Sequence, residues 1–288
     1  MSFPAQHQEI QPGLEYLMVP QPISVAPTYK SAGKLKGKVA LVTGGDSGIG
    51  RAVCYHFALE GATVVFTYVG TVEEIDANET LEKLAEYKTA DARNPMKIPV
   101  KDLGNDDTCK EVVDNVIAAY GCIDILVNNA AENHVVERIE DMKADQVERT
   151  FRTNIFSQFF IASHAVKHMK EGCNIINSLS RQAYLGMPST LDYASSKGAI
   201  LTFTRGLARQ LAKRGIRVNG VAPGPIWTPV NVASLDANAV AHLGEDTLMG
   251  RAGQPCEVAP CYVFLASQDA SYMTGQVLHP NGGAAMYS

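Results

Sequence analysis

Tyr193 and Lys197, four residues apart in LDYASSKGAIL, are the pair in this chain best suited to chemistry. On a helix four residues is just over one turn, so the two side chains share a face and the ammonium can lie beside the phenol. A free phenol titrates near 10, about three units too high for proton exchange at neutral pH, and a neighbouring cation favours the phenolate. The pair would make Tyr193 a general acid or base. No other tyrosine has a lysine at that offset. A helix-surface tyrosine shows the same spacing by chance, so the rest of the chain must decide.

Such a pair needs a scaffold, and an alternation of strands and helices supplies one. Lys38 to Val42 (KVALV) is a short apolar run of the kind buried in a parallel sheet; the glycine turn TGGDSGIG follows, and Arg51 to Leu59 then reads as a helix. Gly61-Ala62 stops that helix and Thr63 to Tyr68 is the next strand, completing a βαβ unit. Further strands are expected near 97–100, 123–127, 174–178, 216–221 and 276–279. Helices are expected over 72–89, 105–120, 144–170 and 256–265, with the helix of Tyr193 and Lys197 running to about 214. The pattern predicts an α/β fold: a Rossmann-type, doubly wound, seven-stranded and mostly parallel sheet, with helices on both faces and a single domain over 35–288. Residues 1–34, with five prolines and no sustained periodicity, read as an extended arm. Its apolar stretch Gly13 to Val19 predicts contact with the domain or a neighbouring subunit, the alternative being a disordered tail.

The 288 residues, 46% hydrophobic, are ample for a core. A net charge of -5 without any basic run argues against nucleic acid or an anionic membrane as partner. The six cysteines are scattered, with no C-x-x-C pair and no Cys/His cluster at zinc spacing, so no metal is expected and the thiols read as reduced. The first residues lack a secretory or transit pattern and no long apolar run occurs, which predicts a cytoplasmic protein.

The glycine turn has its own chemistry. Gly44 and Gly48 would let the backbone turn tightly and approach a pyrophosphate, Gly50 would let the helix pack close to the sheet, and N–H groups at the helix start, among Asp46, Ser47 and Ile49, would meet the negative charge. Its place after the first strand and before a helix is the context a dinucleotide site requires.

Taken in order, Thr43-Gly44-x-x-x-Gly48-x-Gly50, Asn128-Asn129-Ala130-Ala131, Ser180, Tyr193-x-x-x-Lys197 and Pro223-Gly224 resemble the short-chain dehydrogenase/reductase family from Lys36 to the C-terminus. Within it, the arm, FRTNIFS, GVAPGPIWTP and TGQVLHPNGG most resemble a plant group, the glucose and ribitol dehydrogenase homologues, and their bacterial relatives. The resemblance implies that Tyr193 exchanges a proton with the substrate oxygen and that Lys197 lowers its pKa and holds the nicotinamide ribose. It implies that Ser180, thirteen residues before Tyr193, hydrogen-bonds the same oxygen, and that Asn154 holds a water in a proton relay. Asp102 and Leu103 would border adenine, Asn129 to Ala131 the cofactor, and Pro223, Gly224, Ile226 and Thr228 the nicotinamide carboxamide. Ala131 stands where many members have glycine. At the end of the second strand Tyr68 replaces the aspartate usual in NAD-binding members, which leaves room for a 2′-phosphate; no cation follows it, and Glu73, Glu74 and Asp76 would repel one. The balance leans slightly to NADP(H), with NAD(H) open.

Three loops beyond the strand ends would bind substrate. Glu132, His134, Arg181 and Gln182 would supply polar contacts, and Tyr184, Met187 and Trp227 apolar wall, with a mobile lid over 227–250. The mixture suits a small, partly apolar, hydroxylated metabolite. The expected activity is NAD(P)-dependent interconversion of an alcohol and a carbonyl. The alternatives are reduction of an imine or conjugated double bond, and a non-catalytic nucleotide-binding sensor or scaffold. The family resemblance also implies a homo-oligomer, a dimer or tetramer joined through the last helix and strand.

Overall fold

Runs of β-branched and aliphatic residues become strands, and the five inner ones are buried along nearly their whole length, as a sheet covered on both faces demands. The computed structural model describes residues 3–285. Its seven strands are β1 (Val39–Val42), β2 (Thr63–Val69), β3 (Met96–Val100), β4 (Ile125–Asn128), β5 (Asn174–Ser178), β6 (Arg217–Val221) and β7 (Val277–Leu278). They form one sheet in the order β3-β2-β1-β4-β5-β6-β7. Every neighbouring pair is parallel. The fold is Rossmann-type, and the expected "mostly parallel" sheet is parallel throughout.

The helices, in chain order, are α1 (Gly48–Leu59), α2 (Glu74–Tyr87), α3 (Asp106–Tyr120), α4 (Ala144–Phe151), α5 (Ser157–Ala165), α6 (Gln182–Leu185), α7 (Leu191–Leu211), α8 (Pro229–Ser234), α9 (Ala237–Ala241) and α10 (Pro255–Ala266). Local chemistry sets several of their ends. Asn105 caps α3 by accepting from Thr108 N at 3.2 Å, and Gly121, at φ 78°, stops it in the left-handed conformation that side chains resist. Gln254 and Glu257 form a reciprocal capping box at the start of α10, with Pro255 at its first position. Val53 and Phe57 of α1, Leu84 of α2 and Tyr262 of α10 fill the core on one face of the sheet. Val112 and Val116 of α3, Ile161 of α5 and Leu211 of α7 fill the other.

The single helix expected over 144–170 is interrupted. Residues Arg152–Phe156 make a π-helical turn between α4 and α5, and the regular helix ends at Ala165. Such a turn is costly and tends to mark a side chain that must be re-aimed; here that side chain is Asn154. Likewise 182–185, read as loop, winds into the short α6.

The arm runs over the domain surface. Its Tyr29 hydroxyl and the Ala32 and Lys34 amides all donate to the carboxylate of Glu60, just beyond α1, at 2.6 to 3.0 Å.

Candidate active site

The strand order reverses between β1 and β4, and the loops leaving those strands knit together there, where open α/β sheets place their ligands. Thr43 Oγ1 accepts from the amides of Asn129 and Ala130 at 2.9 and 3.1 Å, and Asn129 Nδ2 donates to the carbonyls of Thr43 and Gly44 at 3.2 and 3.0 Å. The space is tight. A Cβ on Gly50 would lie 1.9 Å from the Gly44 carbonyl oxygen, and one on Gly44 would lie 3.1 Å from Ala130 Cα. Beyond this knot opens a cavity of about 590 Å³, within the usual range for small-molecule sites.

Most of the residues expected at a dinucleotide border this cavity. Gly44, Asp46, Ser47, Gly48 and Ile49 come from the glycine turn, Tyr68 from β2, Asp102 and Leu103 from beyond β3, and Asn129, Ala130 and Ala131 from beyond β4. Pro223, Thr228, Tyr193 and Lys197 complete the wall. Three expected residues do not. Gly50 sits behind the turn against Gly44, Gly224 packs where a Cβ would meet Asn281, and Ile226 borders a second hollow beside Leu248 and Met249.

The turn itself differs from expectation at one donor. The Gly48 amide, expected to face a phosphate, donates to the Glu15 carboxylate of the arm at 2.6 Å, and the other oxygen of Glu15 pairs with Arg51 at 2.8 Å. Arg51 also binds Asp76 and Glu79, so this cation is spent inside the protein. Asp76, read as a repulsive charge near the ribose, instead faces the arm and accepts from the amides of Glu15 and Tyr16 at 2.8 and 3.0 Å. Nothing in the local sequence signals Glu15, which lies 33 residues from Gly48.

Beside the glycine turn and the end of β2, burial pushes the carboxyls of Asp46 and Glu73 up, Glu73 to about 7, and Asp46 Oδ2 finds no hydrogen-bond partner within the described protein. The Tyr68 hydroxyl donates to Glu74 at 2.5 Å. A close-approach glycine turn and an unsatisfied buried carboxyl, both bordering the cavity, suit a nucleotide, so the residues present fit the dinucleotide the motif implies.

Tyr193 and Lys197 are brought into the same cavity wall by α7. Lys197, only 2% exposed, donates to the carbonyl of Ser178 at 2.9 Å, and its Nζ lies 5.3 Å from the Tyr193 ring centroid. The expected lowering of the Tyr193 pKa by Lys197 is not what the protein alone shows. Burial pushes Tyr193 up to about 12, opposed by a hydrogen bond with Ser180, and burial pushes Lys197 down to about 7. Desolvation disfavours both charged forms.

Ser180 follows β5 and accepts from the Gln182 amide at 3.2 Å. Asn154, fully buried, accepts from the Glu132 amide at 2.9 Å and donates to the Glu132 carbonyl at 3.0 Å and to Ser196 Oγ at 3.1 Å. Its π turn thus fixes the loop after β4 beside α7. Two residues escaped the sequence reading. Asp192 accepts from Thr150 Oγ1 at 2.8 Å and Gln146 Nε2 at 3.0 Å and so holds the start of α7 onto α4; Ser178 anchors Lys197 through its carbonyl. Aspartate in the first turn of a helix was the only local sign of the former.

The expected substrate residues divide. Glu132 borders the cavity and pairs with Arg149 at 2.9 Å. His134 lies beside Glu132 at 3.5 Å, outside the wall. Arg181 pairs with Asp246 at 3.0 Å, Gln182 accepts from Thr190 Oγ1 at 2.5 Å, Tyr184 meets the His279 ring edge-on, and none of these, nor Met187, borders the cavity. Trp227, expected in the pocket wall, is fully buried elsewhere: it stacks on Phe3 at 3.8 Å and donates to the Pro20 carbonyl at 2.9 Å. Its large ring gains more by packing under the arm than by facing a wet cavity.

A doubly wound sheet with this glycine turn and this serine, tyrosine and lysine defines an NAD(P)-dependent oxidoreductase. The chain belongs to the short-chain dehydrogenase/reductase family: residues 44–285 match the family model described as enoyl-(acyl carrier protein) reductase. It is 61% identical to a carrot (Daucus carota) protein named glucose and ribitol dehydrogenase, over 98% of this chain and 97% of that one. It is 58% identical to a protein of Arabidopsis thaliana named NADPH-dependent aldehyde reductase 1, chloroplastic, over 99% of both. Among solved structures, a short-chain dehydrogenase of Burkholderia cenocepacia in complex with NADP superimposes with a TM-score of 0.79 at 31% identity, covering 87% of this chain and 99% of that one. A blue fluorescent protein from a metagenomic library, in complex with NADPH, gives 0.80 at 34% identity over 88% and 100%.

Proposed function

We propose that the protein interconverts an alcohol and a carbonyl on a small, partly apolar, hydroxylated metabolite, with NADP(H) somewhat preferred over NAD(H). The observation that carries this reading is the Tyr193 hydroxyl, hydrogen-bonded to Ser180 and backed by Lys197, with Tyr193 and Lys197 in the wall of the cavity that the glycine turn also borders. The bound nicotinamide supplies or accepts the hydride at the carbinol carbon. The chain does the rest. In reduction, Tyr193 Oη gives its proton to the substrate oxygen while Ser180 Oγ donates to the same atom, so two donors meet the developing charge. As negative charge appears on Tyr193, the adjacent Lys197 regains its preference for the ammonium, because an opposite charge nearby outweighs burial. Asn154 holds the Glu132 backbone and orders the approach to Lys197. In oxidation the same groups run in reverse. The named glucose and ribitol dehydrogenase and aldehyde reductase support this direction of chemistry.

The family model's description favours a second reading, reduction of a conjugated double bond. One assay separates them: absorbance of the reduced nicotinamide with NADPH or NADH against polyols, aldehydes, ketones and an enoyl thioester. Turnover of carbonyls or alcohols supports the proposal; turnover of the enoyl thioester alone overturns it. We further propose a homo-oligomer, checked by mass in solution, and action in the cytoplasm, checked by locating the tagged protein, since one relative is named chloroplastic. No helix of the described residues is long and apolar enough to cross a membrane.

A further inference from the structure

Three stretches that border the cavity are distant in sequence: the turn at Gly48, the loop at Asn133 and helix α8. Residues 3–20 of the arm touch all three. Glu15 binds the Gly48 amide and Arg51, as described above. Gln11 Nε2 donates to the Asn133 carbonyl at 2.7 Å and to Ser234 Oγ at 3.0 Å; Ser234 Oγ lies 2.8 Å from the same carbonyl and shares its one proton between it and the Val230 carbonyl, closing a triangle between loop and helix. The Gln8 amide adds a bond to the Val232 carbonyl at 3.1 Å. Gly13, at φ 92°, lets the arm pass so close to α8 that a Cβ there would lie 2.5 Å from the Pro229 oxygen. Gln11 and Pro12 themselves border the cavity.

We infer that Gln11 is a positioning residue of the substrate cavity, carried by an arm that straps the loop at Asn133 and helix α8 to the phosphate turn. The inference rests on the oxidoreductase reading above. Its logic is that of a buried polar group: the Asn133 carbonyl is met by side chains from two elements, Ser234 of α8 and Gln11, and the Gln11 amide is the one that ties both loop and helix to the arm. Apolar contact alone would leave loop and helix free to slide. A docked donor fixes the width of the opening through which a substrate reaches Tyr193 and Ser180.

The test compares Gln11→Ala and the near-isosteric, apolar Gln11→Met with wild type in the full chain. Two readings are taken: steady-state kinetics with an aldehyde or ketone found by the assay above, and acrylamide quenching of Trp227. This tryptophan, the only one in the sequence, is buried between arm and α8 and reports on the strap. Losing the Gln11 side-chain hydrogen bonds to Asn133 and Ser234 should raise KM about tenfold in both variants, with kcat falling far less, and should raise quenching several-fold. Recovery of KM in Gln11→Met would overturn the inference, since bulk alone would then suffice; so would an unchanged KM in both. If the wild type turns over nothing, the oxidoreductase reading fails, and quenching alone decides: a rise in both variants supports the strap and no rise overturns it. If melting shows that Gln11→Ala does not fold, Ser234→Ala, which removes the acceptor of one Gln11 bond and the hydroxyl that faces the Asn133 carbonyl while leaving Gln11 in place, is held to the same two readings.

Discussion

Lys197 lies under the ring of Tyr193, 5.3 Å from its centroid, and spends a donor on the Ser178 carbonyl at 2.9 Å. The ammonium is thereby tied to the end of β5 and to α7 at once, and the phenol is supported from below while its hydroxyl meets Ser180. The arrangement separates two tasks. Burial keeps the phenol protonated in the resting protein, and the lysine is in place to stabilise negative charge when the proton leaves.

Removing the Tyr193 hydroxyl should therefore cost chemistry and little else. Tyr193→Phe is expected to lower kcat about 10³-fold or more, as loss of a general acid and of one donor to the reacting oxygen requires, while cofactor affinity stays within a few-fold. Nucleotide titration by fluorescence alongside steady-state rates checks this; a rate near wild type would remove Tyr193 from its assigned role.

The buried lysine should be visible in stability. Its pKa of about 7 in the folded protein, pushed down by burial, lies below the ordinary 10.5, so the unfolded chain binds the extra proton between these values and wild-type stability rises with pH across that window. Lys197→Met removes the term. The melting temperature of the variant relative to wild type should be highest at pH 6 to 7 and should fall steadily toward pH 10, with activity lost throughout. A difference that does not vary with pH would refute the burial account.

Glu15 predicts the opposite slope. Burial pushes its carboxyl up from 4.5 to about 7, against the pull of Arg51 and the Gly48 amide, with Asp76 and Glu79 adding repulsion. A raised carboxyl pKa gives stability that is whole below 4.5 and lost as pH rises to about 7, on the order of 3 kcal/mol at full extent. Asp46, Glu73 and Asp76 are shifted the same way, so the comparison must be with Glu15→Gln, which removes this contribution together with its coupling to Asp76 and Arg51. Wild type should lose melting temperature relative to the variant between pH 5 and 7.5; parallel curves would contradict this.

Gly48 has φ 53°, and a Cβ there would lie 3.2 Å from the Thr228 methyl carbon. Gly48→Val therefore faces both backbone strain and crowding against the far wall of the cavity. Binding of NADPH or NADH should weaken at least tenfold, measured by titration on protein shown by melting to be folded. Unchanged affinity would mean that the turn does not receive the cofactor.

The sequence by itself determined the sheet, the glycine turn and the Tyr193–Lys197 pair, because each rests on short-range rules: strand and helix periodicities, turn glycines and one helical turn of spacing. Residues 174–178 were legible to the residue for this reason. Long-range packing decided the rest. Whether Trp227 faces a ligand or Phe3, whether Asp76 repels a phosphate or receives the arm, and whether the Gly48 amide is open or taken by Glu15 all depend on which distant segment packs there in the folded chain. A proline-rich stretch without periodicity carries no local record of where it docks. Burial likewise set the pKa values of Tyr193 and Lys197, and desolvation belongs to the assembled surroundings rather than to the spacing of two residues along a helix.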